Sequence, residues 1–457
     1  MVGPLDTGSC EHAQGGAERR WTCRLTIVHP PELRASFAPG AGVTTLGRQT
    51  GADGDLAVEH RTVSRRHAEL RWDPAAGRHF VRDLGSRNGT ALHGQPLGPV
   101  PRLVDDNAVL RLGDVLLIYE RLRGAIEDSV LVDRGAVPGE ALAIASLRGL
   151  LARAARDPSP VLLIGESGTG KERAAAEIHR LSGRRGPLLS LNCAALSAQL
   201  VESQLFGHQR GAFTGALQAQ PGLLRAAEGG SLFLDELGEL ALDLQPKLLR
   251  ALESGEILPV GATAPLRVDV RVIAATNRAL AEEVEAGRFR RDLHARLALW
   301  ELELPPLSRR RVDLLAWLER LAAAWAAERG VATPDLSCSP DAAAAILLHR
   351  WPTNLRGLQR LIHALAHRRE RGPLRVEALP TWLIGHVPED SSKDPPTADE
   401  PPRELRPRPT RDELLAVLAA HAWNINAAAR VYARDRKQVS RWIAMYEIAV
   451  PGRDGAG

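Results

Sequence analysis

The stretch GESGTGKE, residues 165–172, decides how the middle of this chain folds. It follows the apolar run PVLLI at 160–164 and precedes a segment, 172–181, that has the pattern of a helix. Glycines between a strand and a helix let backbone N–H groups turn toward phosphate oxygens, and the helix N-terminus adds positive potential. The order of strand, glycine loop and helix therefore predicts a phosphate-binding site.

Eight consecutive residues form this candidate nucleotide site: Gly165, Glu166, Ser167, Gly168, Thr169, Gly170, Lys171 and Glu172. Lysine occurs at only four positions in a chain with 59 basic residues, which favours a specific task for Lys171 as a compact, flexible charge on the β- and γ-phosphates. Glu172 stands where a hydroxyl that binds Mg²⁺ usually follows the lysine, so a simple GTPase-like site is not expected. The alternative is a glycine-rich turn between core elements.

Length and composition limit the rest of the interpretation. With 457 residues, of which 44% are hydrophobic, the chain is long enough for roughly two to four domains. No apolar run reaches the length of about 18 residues that a membrane span needs, so no membrane partner is expected. The four cysteines have neither metal-ligand nor disulfide-scaffold spacing, which favours a reducing compartment, and the expected location is the cytoplasm. Residues 1–23 have no signal-peptide core and are expected to form a disordered tail.

Residues 24–121 predict an all-β sandwich, because short alternating runs such as HAELRW are separated by Gly, Pro and Asp. Three candidate loops carry LGR at 46–48, VSRRH at 63–67 and DLGSRNGT at 83–90. These motifs resemble the forkhead-associated (FHA) domain, which binds phosphopeptides. The resemblance implies that phosphothreonine is bound by Arg48, Ser64, Arg65, Arg87 and Asn88.

A phosphothreonine offers acceptor oxygens and nearly two negative charges, which arginine and hydroxyl groups can bind. The implied partner is a phosphothreonine-containing protein or a kinase, and His67 is expected to brace the loops. The alternative is a β-domain that binds only protein surfaces.

After a connector at 122–137, residues 138–311 predict an α/β domain. The runs LLSLNCAAL, GGSLFLDEL and VDVRVIAATNR alternate with helical segments, which indicates a parallel sheet with crossover helices. Asp235 and Glu236 follow the strand in GGSLFLDEL, at the edge where ligands bind to such sheets. Asp235 is suited to Mg²⁺ through water, and Glu236 to the general base that orients an attacking water. The alternative is a solvated acidic pair.

The stretch ESQLFGHQRGAFTGA at 202–216 contains an uninterrupted GAFTGA. Together with GESGTGKE, FLDE, AATNR and FRRDLHARL, it resembles the sigma-54-dependent activators, bacterial enhancer-binding proteins of the AAA+ class, over residues 138–387. An aromatic residue and a hydroxyl between glycines suit the tip of a mobile loop. The resemblance implies that the sigma-54 factor is contacted by Gly211, Ala212, Phe213, Thr214, Gly215 and Ala216. The alternative for Phe213 is a core position.

The same resemblance implies ATP and Mg²⁺ as cofactors and assigns further catalytic roles. Asn192 matches the residue that restrains the glutamate corresponding to Glu236, and Asn277 matches the first sensor of the γ-phosphate. Arg290 and Arg296 match the arginine fingers offered to a neighbouring subunit. A homo-oligomeric ring, expected to be a hexamer, follows from such a shared site.

A helical lid is predicted at 312–387, where WPTNLRGL resembles the family pattern WPGNVREL. Arg356 matches the second sensor. Thr353, Leu355 and Gly357 depart from the pattern, and Gly357 lowers helix propensity by about 1 kcal/mol relative to alanine. The low helix propensity leaves the stiffness of the lid undetermined by the sequence, but not its role in nucleotide sensing.

The C-terminal part begins with residues 388–409, a Pro-rich linker that has too few aliphatic residues to fold. Residues 410–450 predict an all-α domain that resembles the Fis-type helix-turn-helix, with a recognition helix at 436–446, and residues 451–457 form a tail. Double-stranded DNA is the implied partner. The candidates for DNA contact are Arg436, Lys437, Gln438, Val439 and Arg441. The alternative is a basic helix that faces solvent.

These predictions combine into a multidomain protein with an FHA sandwich, an AAA+ P-loop ATPase with its lid, and a helix-turn-helix. The expected function is that of a transcriptional activator that binds upstream DNA, forms an ATP-hydrolysing ring and remodels sigma-54 RNA polymerase. Two alternatives are a phosphopeptide-reading DNA-binding protein whose ATPase only sets its oligomeric state, and an AAA+ machine that remodels another protein. The intact GAFTGA argues against both.

Overall fold

The computed structural model of the protein describes residues 8–12, 19–49, 55–213, 216–366, 372–384, 409–420, 436–446 and 448. The chain divides into two compact units, Met1–Pro388 and Glu389–Gly457. Among the described residues, no helix is long and apolar enough to cross a lipid bilayer. The predicted linker, except Pro409, and the helix predicted before the recognition helix lie outside the described residues.

The N-terminal domain is a sandwich of two mainly antiparallel sheets. Its strands are β1 (Gly8–His12), β2 (Arg19–His29), β3 (Ser36–Phe37), β4 (Val43–Gly47), β5 (Leu56–Ala57), β6 (Ala68–Asp73), β7 (Arg78–Asp83), β8 (Thr90–Leu92), β9 (Gln95–Leu97), β10 (Arg102–Val104), β11 (Ala108–Leu112) and β12 (Val115–Arg123). One sheet has the order β1-β2-β12-β11-β8-β9, with β3 beside β2, and the other has the order β10-β7-β6-β4-β5. The predicted all-β sandwich is therefore confirmed.

The prediction of a disordered tail over residues 1–23 is wrong for part of that segment. Strand β1 pairs with β2 from Gly8 opposite Cys23 to His12 opposite Arg19, and Thr22 and Cys23 are buried. The sequence GSCEH offers only weak strand signals, so pairing with the longer β2 supplies the order that local propensity does not.

Strand β12 differs from the other strands because both of its faces are buried. Side chains alternate between the faces of a strand, and here Leu117 and Tyr119 face the core between the two FHA sheets. Leu116 and Ile118 face the opposite way and belong to a second apolar cluster, shared with the lid of the next domain. The run VLLIYE is the sequence signal of this second contact.

The central domain has an α/β core. Its strands are β13 (Val161–Ile164), β14 (Leu188–Asn192), β15 (Gly207–His208), β16 (Gln220–Pro221), β17 (Ser231–Asp235), β18 (Glu256–Ile257), β19 (Leu266–Arg267), β20 (Arg271–Thr276) and β21 (Trp300–Glu303). Five of them form a parallel sheet in the order β14-β17-β20-β13-β21. The strands predicted around GESGTGKE, LLSLN, FLDE and AAT are confirmed, whereas β21 was not predicted.

Helices cover this sheet and continue into the lid. They are α1 (Leu142–Arg156), α2 (Lys171–Ser182), α3 (Ala198–Phe206), α4 (Leu223–Ala226), α5 (Gln245–Ser254), α6 (Leu280–Glu285), α7 (Arg291–Leu297), α8 (Leu314–Arg329), α9 (Pro340–Leu348), α10 (Leu355–Ala366) and α11 (Thr381–Ile384). Helices α8 to α11 form the lid around Trp351, which is 1% exposed.

Gly357 has a packing role in the lid. A Cβ at this position would lie 3.1 Å from the Trp351 ring and 3.0 Å from the Thr353 hydroxyl, so glycine lets the first turn of α10 approach the tryptophan closely. The helix continues without interruption through Gly357. The close packing of Gly357 against Trp351 offsets the low helix propensity of glycine, which had left the stiffness of the lid undetermined from the sequence.

The second unit contains two described helices, α12 (Arg411–Ala420) and α13 (Arg436–Met445). Their apolar side chains form one cluster that includes Leu414, Leu418, Val439, Trp442 and Ile443. Helix α13 matches the predicted recognition helix to within one residue.

Candidate functional site

Three parallel strands bring the predicted nucleotide-binding residues to one edge of the sheet. Strand β20 lies between β17 and β13, and the carboxyl ends of parallel strands share one edge, where ligands bind. The loop 165–170 follows β13, Asp235 and Glu236 end β17, and Asn277 follows β20. The structure therefore brings together the residues that were predicted separately from GESGTGKE, FLDE and AATNR.

The loop after β13 has the geometry of a phosphate cradle. Gly168 and Gly170 adopt positive φ angles of 80° and 106°, which side chains other than glycine rarely adopt. The Lys171 ammonium donates to the carbonyl of Gly165 at 2.8 Å. Helix α2 begins at Lys171, so its first N–H groups and its dipole point toward the loop.

The lid packs directly on this loop through Asn354. Its side-chain amide donates to the Glu166 carboxylate at 2.9 Å and to the Ser167 carbonyl at 3.1 Å. Its side-chain oxygen accepts the backbone N–H of Leu307 at 2.8 Å. Asn354 is 0% exposed and has a φ of 50°, a conformation that asparagine tolerates better than most residues.

Arg356 lies two residues further along, in the first turn of α10, and reaches the same loop. Its guanidinium donates to the Ser167 hydroxyl at 2.7 Å, and the Leu355 N–H donates to the Gly168 carbonyl. A Cβ at Gly168 would lie 2.7 Å from the Thr353 carbonyl. The predicted sensor arginine is therefore next to the phosphate cradle, and Gly168 is required for the close approach of the lid.

A small cavity of about 30 Å³ lies beside the cradle, between α1, α2 and the lid. Apolar side chains dominate its lining, which includes Val137, Ile144, Leu304 and Trp317. Arg310 also lines it, is 3% exposed and donates to the Thr169 carbonyl. Sequence analysis missed these residues, because they come from three separate segments without a common motif.

The acidic pair lies at the end of β17. Glu236 has a φ of 50°, so the chain turns sharply after Asp235, and the Glu236 N–H donates to the Asp235 carboxylate at 3.0 Å. Burial, followed by the negative charges of these two carboxylates, raises the pKa of the nearby Cys193 thiol to about 12. The neighbouring thiol therefore stays protonated at neutral pH.

Asn192 stands opposite Asp235 on the adjacent strand β14. Its side-chain oxygen accepts the Ala194 N–H at 2.9 Å, and no hydrogen bond joins it to Glu236 in this part of the structure. The role of Asn192 as a restraint on Glu236 remains a prediction. Asn277 is exposed directly after β20.

The two candidate arginine fingers lie at either end of α7. Arg290 is exposed and forms a two-bond ion pair with Asp292, at 2.7 and 3.0 Å. Arg296 is half-buried and donates to the Leu252 carbonyl at 3.2 Å. Neither arginine contacts the phosphate cradle of its own chain, as a residue that acts in a neighbouring subunit requires.

Of the GAFTGA segment, residues 211–213 and Ala216 are described, and Thr214 and Gly215 lie outside the described residues. The Gly211 N–H donates to the Ala216 carbonyl, and the Ala216 N–H donates to the Phe213 carbonyl. The Phe213 ring packs edge-on against His208 at 5.0 Å between centroids and is half-buried. Phe213 is therefore neither a core residue nor fully exposed.

Three loops of the FHA domain meet around His67. Its Nδ1 accepts the Ser64 N–H and its Nε2 hydrogen-bonds to the Gly89 carbonyl, both at 3.0 Å, so His67 braces two loops as expected. Burial lowers the pKa of His67, which favours the neutral ring that these bonds require. The Ser64 hydroxyl accepts the Arg87 N–H, and the Arg48 N–H donates to the Ser64 carbonyl.

The side chains predicted to bind phosphothreonine surround this junction. Arg48, Arg65, Arg87 and Asn88 are exposed, and the Asn88 amide donates to the Thr62 carbonyl at 2.7 Å. A Cβ at Gly47 would lie 2.1 Å from the Arg65 carbonyl, so glycine permits the close contact between two of the loops. The structure brings all three loops to one end of the sandwich.

One predicted DNA contact is wrong. Val439 is 0% exposed and packs in the apolar cluster between α12 and α13, so it cannot contact bases. Val439, Trp442 and Ile443 recur at the i, i+3, i+4 spacing of a buried helix face. Arg441 is exposed on the same helix. The side chains of Arg436, Lys437 and Gln438 lie outside the described residues.

Comparison with known proteins identifies two domains in the chain. Residues 137–303 match the Sigma-54 interaction domain, and residues 44–113 match the FHA domain. Domains of the first family are AAA+ ATPases, which supports nucleotide binding and an ATPase in general. The resemblances to the FHA domain and to the sigma-54-dependent activators are thereby confirmed, and the resemblance of residues 410–450 to the Fis-type helix-turn-helix stays a prediction.

The relatives are sigma-54-dependent transcriptional regulators. The nitric oxide reductase transcription regulator NorR1 of Cupriavidus necator is 48% identical over 237 residues, which are 52% of this chain and 46% of that protein. The sigma-54-dependent transcriptional activator SfnR of Pseudomonas putida is 45% identical over 214 residues, 47% of this chain and 58% of that protein. The chain spans about half the length of the curated relatives it matches.

The crystal structure of NtrX from Brucella abortus is similar to 68% of this chain and 70% of its own, with a TM-score of 0.51 and 29% sequence identity. The likeness supports the multidomain α/β architecture of the central region.

Proposed function

We propose that this chain, which carries an FHA domain and a Sigma-54 interaction domain, is a transcriptional activator that uses ATP hydrolysis to remodel sigma-54 RNA polymerase. One observation carries the proposal. The phosphate cradle, the acidic pair Asp235–Glu236 and Asn277 lie at one sheet edge, in the domain whose sequence also contains GAFTGA.

The described residues fit ATP. The cradle offers backbone N–H groups of a helix N-terminus and the Lys171 ammonium to phosphates. The small apolar cavity beside it, lined by Val137, Ile144 and Trp317 among others, marks the apolar surface next to the cradle where a nucleobase would pack after the lid shifts. No group of three or more acidic, histidine or cysteine side chains that could hold a metal occurs within the described residues. Mg²⁺ would be held mainly by phosphate oxygens and water, and the Asp235 carboxylate would accept a hydrogen bond from one of the waters bound to the metal.

ATP supplies the phosphoanhydride bond whose hydrolysis drives the mechanical work. Glu236, in the sharp turn directly after β17, accepts a proton from the attacking water. The Lys171 ammonium neutralises part of the phosphate charge. Asn277, directly after β20, and Arg356, on the lid, are the residues that sense the bound phosphates. Because Arg290 and Arg296 do not reach the cradle of their own chain, we assign them to the site of a neighbouring subunit in a ring.

The FHA domain is proposed to be the regulatory input. Arg48, Arg65 and Arg87 provide positive charge around the Ser64 hydroxyl, and the exposed Asn88 amide would bind the peptide backbone. A phosphothreonine on a partner or on this chain would dock there. To move the protein from mostly inactive to mostly active, the peptide must prefer one state by about 5.5 kcal/mol.

The C-terminal unit is proposed to bind double-stranded DNA through α13. Arg441 is the exposed basic residue of this helix whose side chain is described, and Arg436, Lys437 and Gln438 precede it in sequence. Val439 holds the helix on α12 instead of contacting bases. The position of α13 in the chain and its basic residues are typical of a recognition helix.

The test separates ATP chemistry from polymerase engagement. Lys171→Ala should abolish ATP binding, and Glu236→Gln should bind ATP without turnover. Lys247→Ala is a matched control, because Lys247 is ion-paired with Glu202 at a distance from the cradle, and it should hydrolyse ATP normally.

Thr214→Ala should keep ATP hydrolysis and DNA binding but lose transcription from a supercoiled sigma-54 promoter. Full transcription by Thr214→Ala would refute the polymerase-remodelling role and leave an ATPase with another target. Rapid hydrolysis by Glu236→Gln would refute the assignment of the general base.

A further inference from the structure

We propose that the FHA domain is a clamp across the junction between the ATPase core and its lid, and that Asn107 and Arg111 are positioning residues for the lid. This inference rests on the proposed nucleotide site, because the lid carries Asn354 and Arg356 onto the phosphate cradle. The clamp consists of Arg24, Asn107, Arg111 and Glu120 of the FHA domain with Glu140, Leu142, Arg311 and Asp341 of the ATPase domain.

On the core side, the clamp holds the N-terminus of α1. Arg24 and Glu120 form a buried ion pair, with side chains 2% and 3% exposed. The Glu120 carboxylate also accepts the Leu142 N–H at 2.8 Å, and the Arg24 guanidinium donates to the Glu140 carbonyl at 2.5 Å. An FHA carboxylate thereby supplies the acceptor for an N–H group of the first turn of α1, which has no partner within the helix.

On the lid side, the clamp holds Arg311 and α9. The Arg311 guanidinium donates to the Asn107 carbonyl at 2.9 Å and to the Leu347 carbonyl at 2.9 Å, so one side chain joins the FHA domain to α9. Burial lowers the pKa of Arg311 to about 10, which leaves it charged at neutral pH. Arg111 donates to the Asp341 carboxylate at 2.7 Å in the first turn of α9.

The two sides of the clamp meet where the core becomes the lid. Asp313, two residues after Arg311, accepts the N–H groups of Glu140 and Ala141 at 2.6 and 3.1 Å. The FHA domain therefore contacts both partners of this junction, and lid rotation relative to α1 must break or shift its contacts. Domain closure of this kind uses a few residues at element ends as the hinge.

A chain of hydrogen bonds connects the clamp to the candidate phosphopeptide loops. Asn88 donates to the Thr62 carbonyl, and the Thr62 hydroxyl accepts the Asp114 N–H at 2.9 Å. The Arg111 guanidinium donates to the Gly113 carbonyl at 2.6 Å and also to the Asp341 carboxylate. A peptide bound at Asn88 acts on the same short segment that positions the lid.

The experiment is hydrogen exchange on the full chain with and without MgADP, in wild type, Arg311→Met and Arg309→Met. Arg309→Met is the matched control, because Arg309 is exposed, pairs with Glu303 at 3.0 Å and belongs to the same turn region. Wild type should show slower exchange on MgADP binding at 165–172, at 340–348 and at the FHA segment 108–112.

Arg311→Met should keep the protection by MgADP at 165–172 but lose the response to MgADP at 108–112. Without ligand, its exchange rates at 108–112 and 340–348 should be higher than in wild type by about tenfold or more, the factor typical of losing a hydrogen bond to a charged group. Asp341→Ala, at a side chain that is 65% exposed, tests the clamp in case Arg311→Met does not fold. It should weaken the response at 108–112, whereas Asp105→Ala, which removes a comparable ion pair within the FHA domain, should not.

Protection at 165–172 in wild type without any change at 108–112 would overturn the clamp while keeping the nucleotide site. If MgADP protects neither segment, the proposed nucleotide site fails instead. The clamp is then decided by the ligand-free comparison, and equal exchange in Arg311→Met and Arg309→Met would overturn it.

Discussion

Replacement of Asn354 by aspartate tests how the lid is held on the phosphate cradle. The aspartate keeps the side-chain oxygen that accepts the Leu307 N–H and tolerates the φ of 50°. It removes the side-chain amide N–H groups that donate to the Glu166 carboxylate and to the Ser167 carbonyl. The substitution therefore leaves the anchor within the lid junction intact and breaks only the bonds to the cradle.

The magnitude follows from charge and from lost bonds. Two like charges about 4 Å apart repel by about 1 kcal/mol in water and about 4 kcal/mol near a protein surface. Glu166 is exposed whereas position 354 is 0% exposed, so a repulsion of about 1–2 kcal/mol applies, and the two lost hydrogen bonds add about 1 kcal/mol each. A total of about 3 kcal/mol predicts a loss of roughly 100-fold in nucleotide affinity.

The assay is titration with a fluorescent ATP analogue together with steady-state hydrolysis. Asn354→Asp should raise both the dissociation constant and KM, and a second change, Glu166→Gln, should restore part of the affinity by removing the repulsion. Asn354→Gly accepts the same backbone conformation and adds no charge, but it also removes the acceptor of the Leu307 N–H. A smaller loss of affinity in Asn354→Gly than in Asn354→Asp, despite this additional lost bond, would identify the charge repulsion as the larger effect. Wild-type affinity and KM in Asn354→Asp would refute the assignment.

Three further outcomes are expected. Arg290→Ala and Arg296→Ala should each be inactive alone but regain hydrolysis when mixed with Lys171→Ala, since the fingers and the cradle would come from different subunits; absence of rescue in every mixture would contradict a shared site. Arg441→Ala should weaken DNA binding and, for a phosphate contact, lower the slope of log affinity against log salt by about one unit, whereas an unchanged slope would exclude that contact. Burial, followed by the charge of Arg311, lowers the pKa of His93 from 6.5 to about 4. Below pH 6.5 the unfolded chain binds a proton that the folded chain does not, so stability is complete above pH 6.5 and falls toward pH 4, by about 2 kcal/mol at pH 5. His93→Asn, which tolerates the φ of 50°, should lose less stability between pH 7.5 and 5 in urea denaturation than wild type, and an equal loss would contradict the prediction.

The nucleotide site was predictable because its parts are local motifs on parallel strands. The positions of GESGTGKE and of Asp235–Glu236 after apolar runs are sufficient to bring them to one sheet edge, since parallel strands end on the same side. The apolar cavity was not predictable in this way. Its lining combines Val137, Leu304 and Trp317, which only the packing of the lid on α1 brings together.

Strand β21 and Val439 illustrate two different failures of sequence analysis. The sequence WELE alternates with the period of a strand but is short and half charged, and it is ordered by pairing with β13. Val439 lies in a basic segment, which suggested DNA contact. Its spacing to Trp442 and Ile443 indicates a buried face, so helical periodicity was the better guide than local charge.

The energetics of the interface limit how the FHA domain can regulate the ATPase. Val28, Val109, Leu116 and Ile118 are buried against the lid, and full burial of such side chains contributes about 1.5–3 kcal/mol each. The partly exposed pair of Arg111 and Asp341 contributes about 0–1 kcal/mol. A single phosphopeptide that must supply about 5.5 kcal/mol for a switch can disturb the polar pair, but it cannot also offset the loss of the apolar contact. Regulation through this domain is therefore expected as a small shift of the lid with the FHA domain still attached, and not as release of the domain from the ATPase.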